Sequence, residues 1–330
     1  MTVTFTELHL DGGVNTVGPC GYGLAGVGCG TVYKVTPEGA FTSIYSFCSQ
    51  ANCADGSSPD SPLLAADDGE LYGMTSAGGA NGYGTIFKIT PSGKLTTLYS
   101  FPSYSCEAQY SCGVLVQATD GNFYGVTSAP DLTGAAFKLT PGGTFSTLYN
   151  FCSQANCADG SYPESLVQGT DGRFYGATIA GGTGTSSVCT SSCGTVFSVT
   201  GSGELKTLHN FSGTEGYHPT GMIQSTNGSF YGIANFGGAN GDGTVFSLSV
   251  GLGRFVELLP SFGKVGGTVQ ILGDNLSSTT AVTFNSTAAA FTVESATLIS
   301  ASVPAGATTG FVKVTTSSGA LKSNVKFHVK

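Results

Sequence analysis

Charge is the scarcest ingredient of this chain. Only 10% of its 330 residues are Asp, Glu, Lys or Arg, which argues against long helices laced with ion pairs and fits short strands joined by tight turns. No run of about 18 apolar residues occurs, so no helix is expected to span a membrane. The opening MTVTFTELHL has neither the basic nor the apolar region of a signal peptide: either the chain is not exported or a signal has been removed. Histidine is limited to His9, His209, His218 and His328, none in metal-ligand spacing beside a cysteine pair. GxSxG and HExxH are absent, and no glycine-rich stretch follows a strand and opens a helix. The familiar hydrolase, metalloprotease and nucleotide-cradle signatures are therefore missing.

The charge that exists is unevenly placed. Residues 1–259 carry 18 acidic and 7 basic side chains, a net of −11, whereas residues 260–330 carry 2 and 5, a net of +3. An acidic body is a poor surface for nucleic acid, and no nucleic-acid partner is expected. The basic tail either keeps a small domain soluble, the reading we adopt, or docks on a negative polymer.

Glycine is abundant, at 51 residues, and so is repetition. GTIFKITPSGKLTTLYSF from Gly84 returns as GTVYKVTPEGAFTSIYSF from Gly30, GAAFKLTPGGTFSTLYNF from Gly134 and GTVFSVTGSGELKTLHNF from Gly194. A degenerate copy, GTVFSLSVGLGRFVEL, starts at Gly243. Steps of 49 to 60 residues fall in the period range of propeller blades. Each full repeat reads as four strands. In the second, strand a is Pro62 to Ala66, b is Leu71 to Ser76, c is Thr85 to Thr90 and d is Lys94 to Phe101. Asp68-Gly69, Asp120-Gly121, Asp171-Gly172 and Asn227-Gly228 mark the a–b turn, because DG and NG supply the positive φ that tight hairpins need. Strand b repeats a Tyr-Gly pair at Tyr72, Tyr124, Tyr175 and Tyr231. A tyrosine column can line a sugar site; we read it instead as packing between blades with the hydroxyl satisfied.

The ends of the array are irregular. The first repeat offers b (Thr4 to Leu10), c and d but no a, and the fifth offers a, b, c and a weakened d at Arg254 to Leu259. Open sheet edges template aggregation, so the terminal segments are expected to complete one shared blade; self-assembly through terminal strands is the alternative. The expected fold class is all-β: a five-bladed β-propeller of four-stranded blades over residues 1–259, then a small Ig-like β-sandwich over residues 260–330.

Two resemblances bear on this. The tail opening PSFGKVGGTVQILGDNL, at Pro260 to Leu276, and VPAG at Val303 to Gly306 resemble the IPT/TIG immunoglobulin-like domain. That resemblance implies a sandwich used as spacer or docking module. The G-T-V-F-K-I-T-P-x-G-x-L-T-T-L-Y-S-F copies, with D-G-x-F-Y-G and the FCSQANCADG insert, are similar to the GloVer-type (choice-of-anchor) tandem repeats of bacterial surface proteins. This second resemblance implies export and display and transfers no catalytic residue.

The ten cysteines fall into close pairs: Cys20/Cys29, Cys48/Cys53, Cys106/Cys112, Cys152/Cys157 and Cys189/Cys193. An even count in tight local pairs reads as disulfides in an oxidising compartment, placing the protein outside the cell or on its surface; zinc is the alternative, with irregular intervals against it. In a four-stranded blade the d–a and b–c connections share one face, and here every long loop and every cysteine pair falls on it. Pinned loops on a rigid scaffold suit binding. FCSQANCADGSSPDS from Phe47 and FCSQANCADGSYPES from Phe151 are near copies. Candidate ligand contacts on this face are Asn52, Asp55, Tyr83, Asn156, Asp159, Tyr162 and Asp242. Asn and Asp oxygens are also candidate Ca²⁺ ligands, although their spacing is not that of a known calcium loop; no other cofactor is expected. Asp60 and Glu164 are the one carboxylate pair that two repeats could aim at a common axis, and so the candidates if the protein cleaves polysaccharide. Glu215 and His218 are read as loop decoration rather than as an acid–base pair. The function expected is non-catalytic recognition of an extracellular glycan or cell-surface polymer. A polysaccharide-acting hydrolase or lyase and a structural subunit of a surface layer or fibre are the alternatives.

Overall fold

The computed structural model describes residues 5–9, 28–102, 113–128, 133–184, 189 and 193–330. Among them regular structure is strand, apart from the short 3-10 turns Ala51–Cys53, Ala155–Cys157 and Leu276–Ser278. No described helix is long and apolar enough to cross a membrane. The chain divides into two compact units: Met1–Gln168, Arg173–Met222 and Ile233–Thr244 form one, and Gly169–Gly172, Ile223–Gly232 and Val245–Lys330 the other.

The repeats are antiparallel meanders. The second runs Leu71–Ala77 (b), Thr85–Ile89 (c) and Leu95–Ser100 (d). Its strand a is earlier and more broken than expected, made of Ser57–Pro59 and Leu64–Ala65, both paired to b. The third repeat is Leu115–Gln117, Phe123–Thr127, Ala135–Leu139 and Phe145–Asn150, and the fourth is Ser161–Gln168, Phe174–Ala180, Thr195–Val199 and Leu205–Asn210. The first and fifth repeats correct the expectation of a shared terminal blade. They form separate three-stranded sheets, Phe5–His9 with Thr31–Val35 and Phe41–Ser46, and Tyr217–Gln224 with Phe230–Phe236 and Thr244–Leu248. The weakened fifth d strand does not form. Glu257–Leu259 pairs with Thr268–Leu272 instead, because Val256 and Leu258 bury their side chains in the tail core beside Val269 and Ile271.

Local chemistry explains the meander. Asp68 accepts hydrogen bonds from the Glu70 amide (2.9 Å) and the Tyr72 hydroxyl (2.8 Å), and Asp120 does the same for Asn122 and Tyr124 (3.0 Å each). The turn aspartate thus closes its hairpin and satisfies the buried tyrosine. The glycine after each tyrosine faces an aromatic ring across the sheet. Gly73 pairs with Phe87 and Gly176 with Phe197, where an added Cβ would lie 2.7 and 2.4 Å from the ring tip; the missing side chain is what lets the ring lie flat on strand b. Strand d carries one extra residue opposite the c strand in the first four repeats, a bulge that sharpens local twist.

Successive repeats are joined the same way each time. Tyr72 stacks on Phe123 and Tyr124 on Phe174, both at 4.1 Å, which bears out the packing role of the tyrosine column. Phe47 meets Phe87 edge-on, and Phe151 meets Phe197. These aromatics are fully buried, each contributing about 1.5–3 kcal/mol by leaving water. At one end of the sheets a glutamine accepts from the preceding repeat's a–b turn: Asp67 N to Gln117 Oε1 (2.8 Å), Thr119 N to Gln168 Oε1 (3.0 Å) and Thr170 N to Gln224 Oε1 (3.2 Å). At the other end Ser58, Tyr162 and His218, all at positive φ, donate their amides to the carbonyls of Cys29, Thr133 and Cys193.

The tail is two sheets on one core. One holds Glu257–Leu259, Thr268–Leu272, Leu298–Ser302 and Phe291–Val293; the other holds Phe262–Gly263, Gly319–Val329, Gly310–Thr316, Thr279–Phe284 and Thr287–Ala288. Ile271 and Ile299 from the first meet Phe284, Val312, Val314 and Phe327 from the second.

Candidate functional site

The two near-copy d–a loops fold identically around a buried carboxylate. Asp55 Oδ2 accepts from Tyr45 Oη (2.7 Å), Ser49 N (2.9 Å) and Ser49 Oγ (3.0 Å), and Oδ1 accepts from Gln50 N (3.1 Å). Asp159 repeats this with Tyr149 Oη (2.7 Å), Ser153 N and Oγ (3.0 Å each) and Gln154 N (3.2 Å). Both aspartates are fully buried, and their hydrogen bonds hold the loop. Burial pushes the Tyr45 hydroxyl well above its ordinary range; the Ser49 contact opposes that rise and Asp55 adds to it. Disulfides Cys48–Cys53 and Cys152–Cys157 close the same turns. Cys189–Cys193 also forms, and Cys29 is disulfide-bonded, its sulfur within 4.8 Å of those of Cys48 and Cys53. Cys20, Cys106 and Cys112 lie outside the described residues.

The fifth repeat builds the same hub with other residues. Glu215 accepts from Ser212 N (2.9 Å), from the Ser212 hydroxyl and from Thr214 Oγ1 (2.8 Å), and its Oε1 sits 3.3 Å from His209 Nε2. His209 stands where Tyr45 and Tyr149 stand in their copies. Burial pulls the Glu215 carboxyl up, but the Ser212 and Thr214 hydrogen bonds outweigh it and hold it at about 2. Glu215 is therefore paired with His209, not with His218.

The remaining candidates separate by exposure. Asn52 and Asn156 are exposed at left-handed backbone (φ 56° and 57°) on top of the loops. Tyr83 is half-buried, packing on the core that holds Tyr72 and Phe123, and Asp242, its counterpart in the fifth repeat, is exposed. Tyr162 is half-buried and its amide is bound to the preceding repeat.

Asp60 and Glu164 lie near enough for the charge of one to act on the other. Each follows a proline that ends the loop, and each interrupts its strand a: Glu164 is the extra residue where pairing shifts between Pro163 and Ser165. The next residue, Ser61 or Ser165, takes over the ladder by accepting the amide of Met74 (2.8 Å) or Ala177 (3.0 Å) with its hydroxyl. A bulge of this kind re-aims the side chain it carries. Both carboxyls are half-buried. Burial raises Asp60 to about 6; burial also raises Glu164, and the nearby Asp60 charge raises it further. Such a pair can hold a proton near neutral pH and offer a donor and several acceptors to one ligand. Sequence reasoning named this pair and missed the hubs, whose signal was the joint change of Tyr/Asp to His/Glu between repeats.

Comparison with known proteins adds family context. No curated protein matches the chain by sequence. Among solved structures, a catalytically inactive virginiamycin B lyase from Staphylococcus aureus with quinupristin is similar at 10% identity and a TM-score of 0.43, covering 88% of this chain and 86% of its own. A protein assigned as TolB from Agrobacterium tumefaciens is similar at 11% identity and a TM-score of 0.41, covering 86% and 83%. The Gloeobacter/Verrucomicrobia repeat matches twice, over residues 21–189 and 133–319. An all-β chain of recurring antiparallel sheets, matched across most of its length by that repeat, belongs to the Gloeobacter/Verrucomicrobia repeat family.

Proposed function

We propose that this chain is an exported recognition protein, a five-bladed array of the β-propeller type with an IPT/TIG-like tail, that binds extracellular glycan without turning it over. Export is supported by three disulfides among the described residues, since such bonds persist in oxidising compartments. The observation that carries the binding reading is one of position. Two near-identical loops, each locked by a disulfide and a buried carboxylate, lead directly into Asp60 and Glu164. Loops already fixed in shape lose little entropy when a ligand arrives. A carboxyl raised to about 6, as Asp60 is, keeps some of its proton near neutral pH and can both donate to and accept from sugar hydroxyls. Asn52 and Asn156 add exposed amides on the same two loops.

The same pair supports a second reading. A carboxyl that keeps its proton near neutral pH is what a general acid requires, and a polysaccharide hydrolase places two carboxyls across the scissile bond. One experiment separates the readings: a panel of extracellular polysaccharides scored for retention and for released product. Retention without product, weakened at least tenfold by Asp60→Asn with Glu164→Gln, is the expected result. Released product that disappears in the same double variant would replace the lectin by an enzyme. Silence in both channels would sink the glycan reading and favour a structural subunit.

A further inference from the structure

The contact between repeats has a fixed polarity. Met74 and Ile86, on strands b and c of the second repeat, pack onto Phe137 and Leu139 of the third. Val126 and Ala136 pack in the same way onto Phe197 and Val199, and Val32 onto Phe87 and Ile89. Every one of these residues is buried to 1% exposure or less. Each of the first three repeats thus has a leading face that seats the trailing face of its successor.

Among the described residues, none is seated on the leading face of the fifth repeat. Ile233 and Val245 stand at the Met74 and Ile86 positions, yet they are 49% and 76% exposed, and Ile223 on strand a is 65% exposed. The tail sheets, not a sixth repeat, follow it in sequence. The described part of the first repeat's trailing face is exposed as well. Val35, at the Ile89 and Leu139 position, is only half-buried, and Phe41 is 64% exposed. Phe41 lies 4.9 Å from Tyr33 as Phe145 lies 5.1 Å from Phe137, and in the interior array Tyr99 of the preceding repeat stacks on that phenylalanine at 4.2 Å. Apolar positions that are buried or partly buried in the interior repeats and more exposed at both termini describe two halves of one interface.

We infer that the chain self-associates head to tail: the Val245 face of one copy seats the Phe41 face of a second copy, repeating the internal contact. The occupant is a second copy because this chain's own first repeat presents the side chains that interior leading faces seat, in the same arrangement. The contact is heterologous, so each copy keeps one used and one free face and can add further copies or close a ring. It is independent of any glycan site, since neither face includes Asp60 or Glu164.

Sedimentation of the full chain across a hundredfold concentration range tests this. The wild type is expected to grow from monomer to dimer and larger species. Val245→Asp alone and Phe41→Asp alone are each expected to stay monomeric, with circular dichroism and melting temperature like the wild type, both sites being solvent-facing in the monomer. An equimolar mixture of the two variants is the decisive arm. Each retains the face the other lacks, so the mixture is expected to give a 1:1 dimer and nothing larger. A wild type that stays monomeric throughout overturns the inference in favour of closure within one chain. Association that survives both substitutions, or a mixture that stays monomeric, overturns it in favour of another surface or a two-fold contact.

Discussion

The d–a loops of the second and fifth repeats solve one problem with different parts. The first uses Tyr45, Asp55 and a disulfide; the second uses His209, Glu215 and no cysteine. Both end in a left-handed residue, Ser58 or His218, whose amide binds the preceding repeat. What survives the exchange is a carboxylate receiving two or more hydrogen bonds from the start of its own loop. The disulfide is therefore an addition to an anion-centred turn, not its cause. A carboxylate fits because the turn aims amides and hydroxyls inward, and buried donors left without an acceptor cost more than the hydrogen bonds themselves return.

That comparison can be broken in a definite order. Asp55→Ala or Asp159→Ala removes the shared acceptor of two hydroxyls and two amides in a part-buried site, and should cost about 3 kcal/mol by thermal denaturation. Replacing Cys48 and Cys53 by serine should cost less, about 2 kcal/mol, since chain entropy gives a loop this short little to lose. If the disulfide pair costs more than the aspartate, the hub account fails. Glu215→Gln should cost about 1 kcal/mol at neutral pH, discounted for the partial exposure of that site. Its carboxyl is depressed from 4.5 to about 2, so the stability it supplies is complete above pH 4.5 and fades as pH falls toward 2. The gap between variant and wild type should close over that window. Asp60→Asn should act in the opposite sense and by least, stabilising by up to about 1 kcal/mol once solvent screening is allowed for. Folding raises this carboxyl from 3.8 to about 6, so its ionisation opposes folding as pH rises through that interval. The variant's melting temperature should match wild type near pH 3.5 and exceed it at pH 7.

Much of this architecture was legible because it is local. DG turns, the Tyr-Gly pair and the c–d proline turns each act within a dozen residues, so strands b, c and d could be read directly. Strand a could not, because Asp60 and Glu164 sit where its pairing breaks, and a serine hydroxyl standing in for a backbone carbonyl leaves no periodic trace. The fate of residues 256–259 was hidden for a different reason. Val256 and Leu258 alternate correctly for a strand in either partner, and only the tail core decides between them. Among the site candidates, Asp60 and Glu164 were chosen by position and feel each other's charge, whereas the burial of Asp55 and Asp159 was not foreseen. An Asp-Gly beside a cysteine looks like surface; its burial depends on a tyrosine ten residues earlier.

The glutamine clasps set a timetable. Each turn amide finds its acceptor 49 to 54 residues further along, in the repeat that is made next. A chain emerging from the ribosome therefore carries one unfinished clasp at a time, always at its newest edge. Every step closes a loop of nearly the same length, so the entropic toll per repeat is nearly constant however long the array becomes. Such a chain can be assembled like a zip, one tooth for each stretch of about fifty residues synthesised.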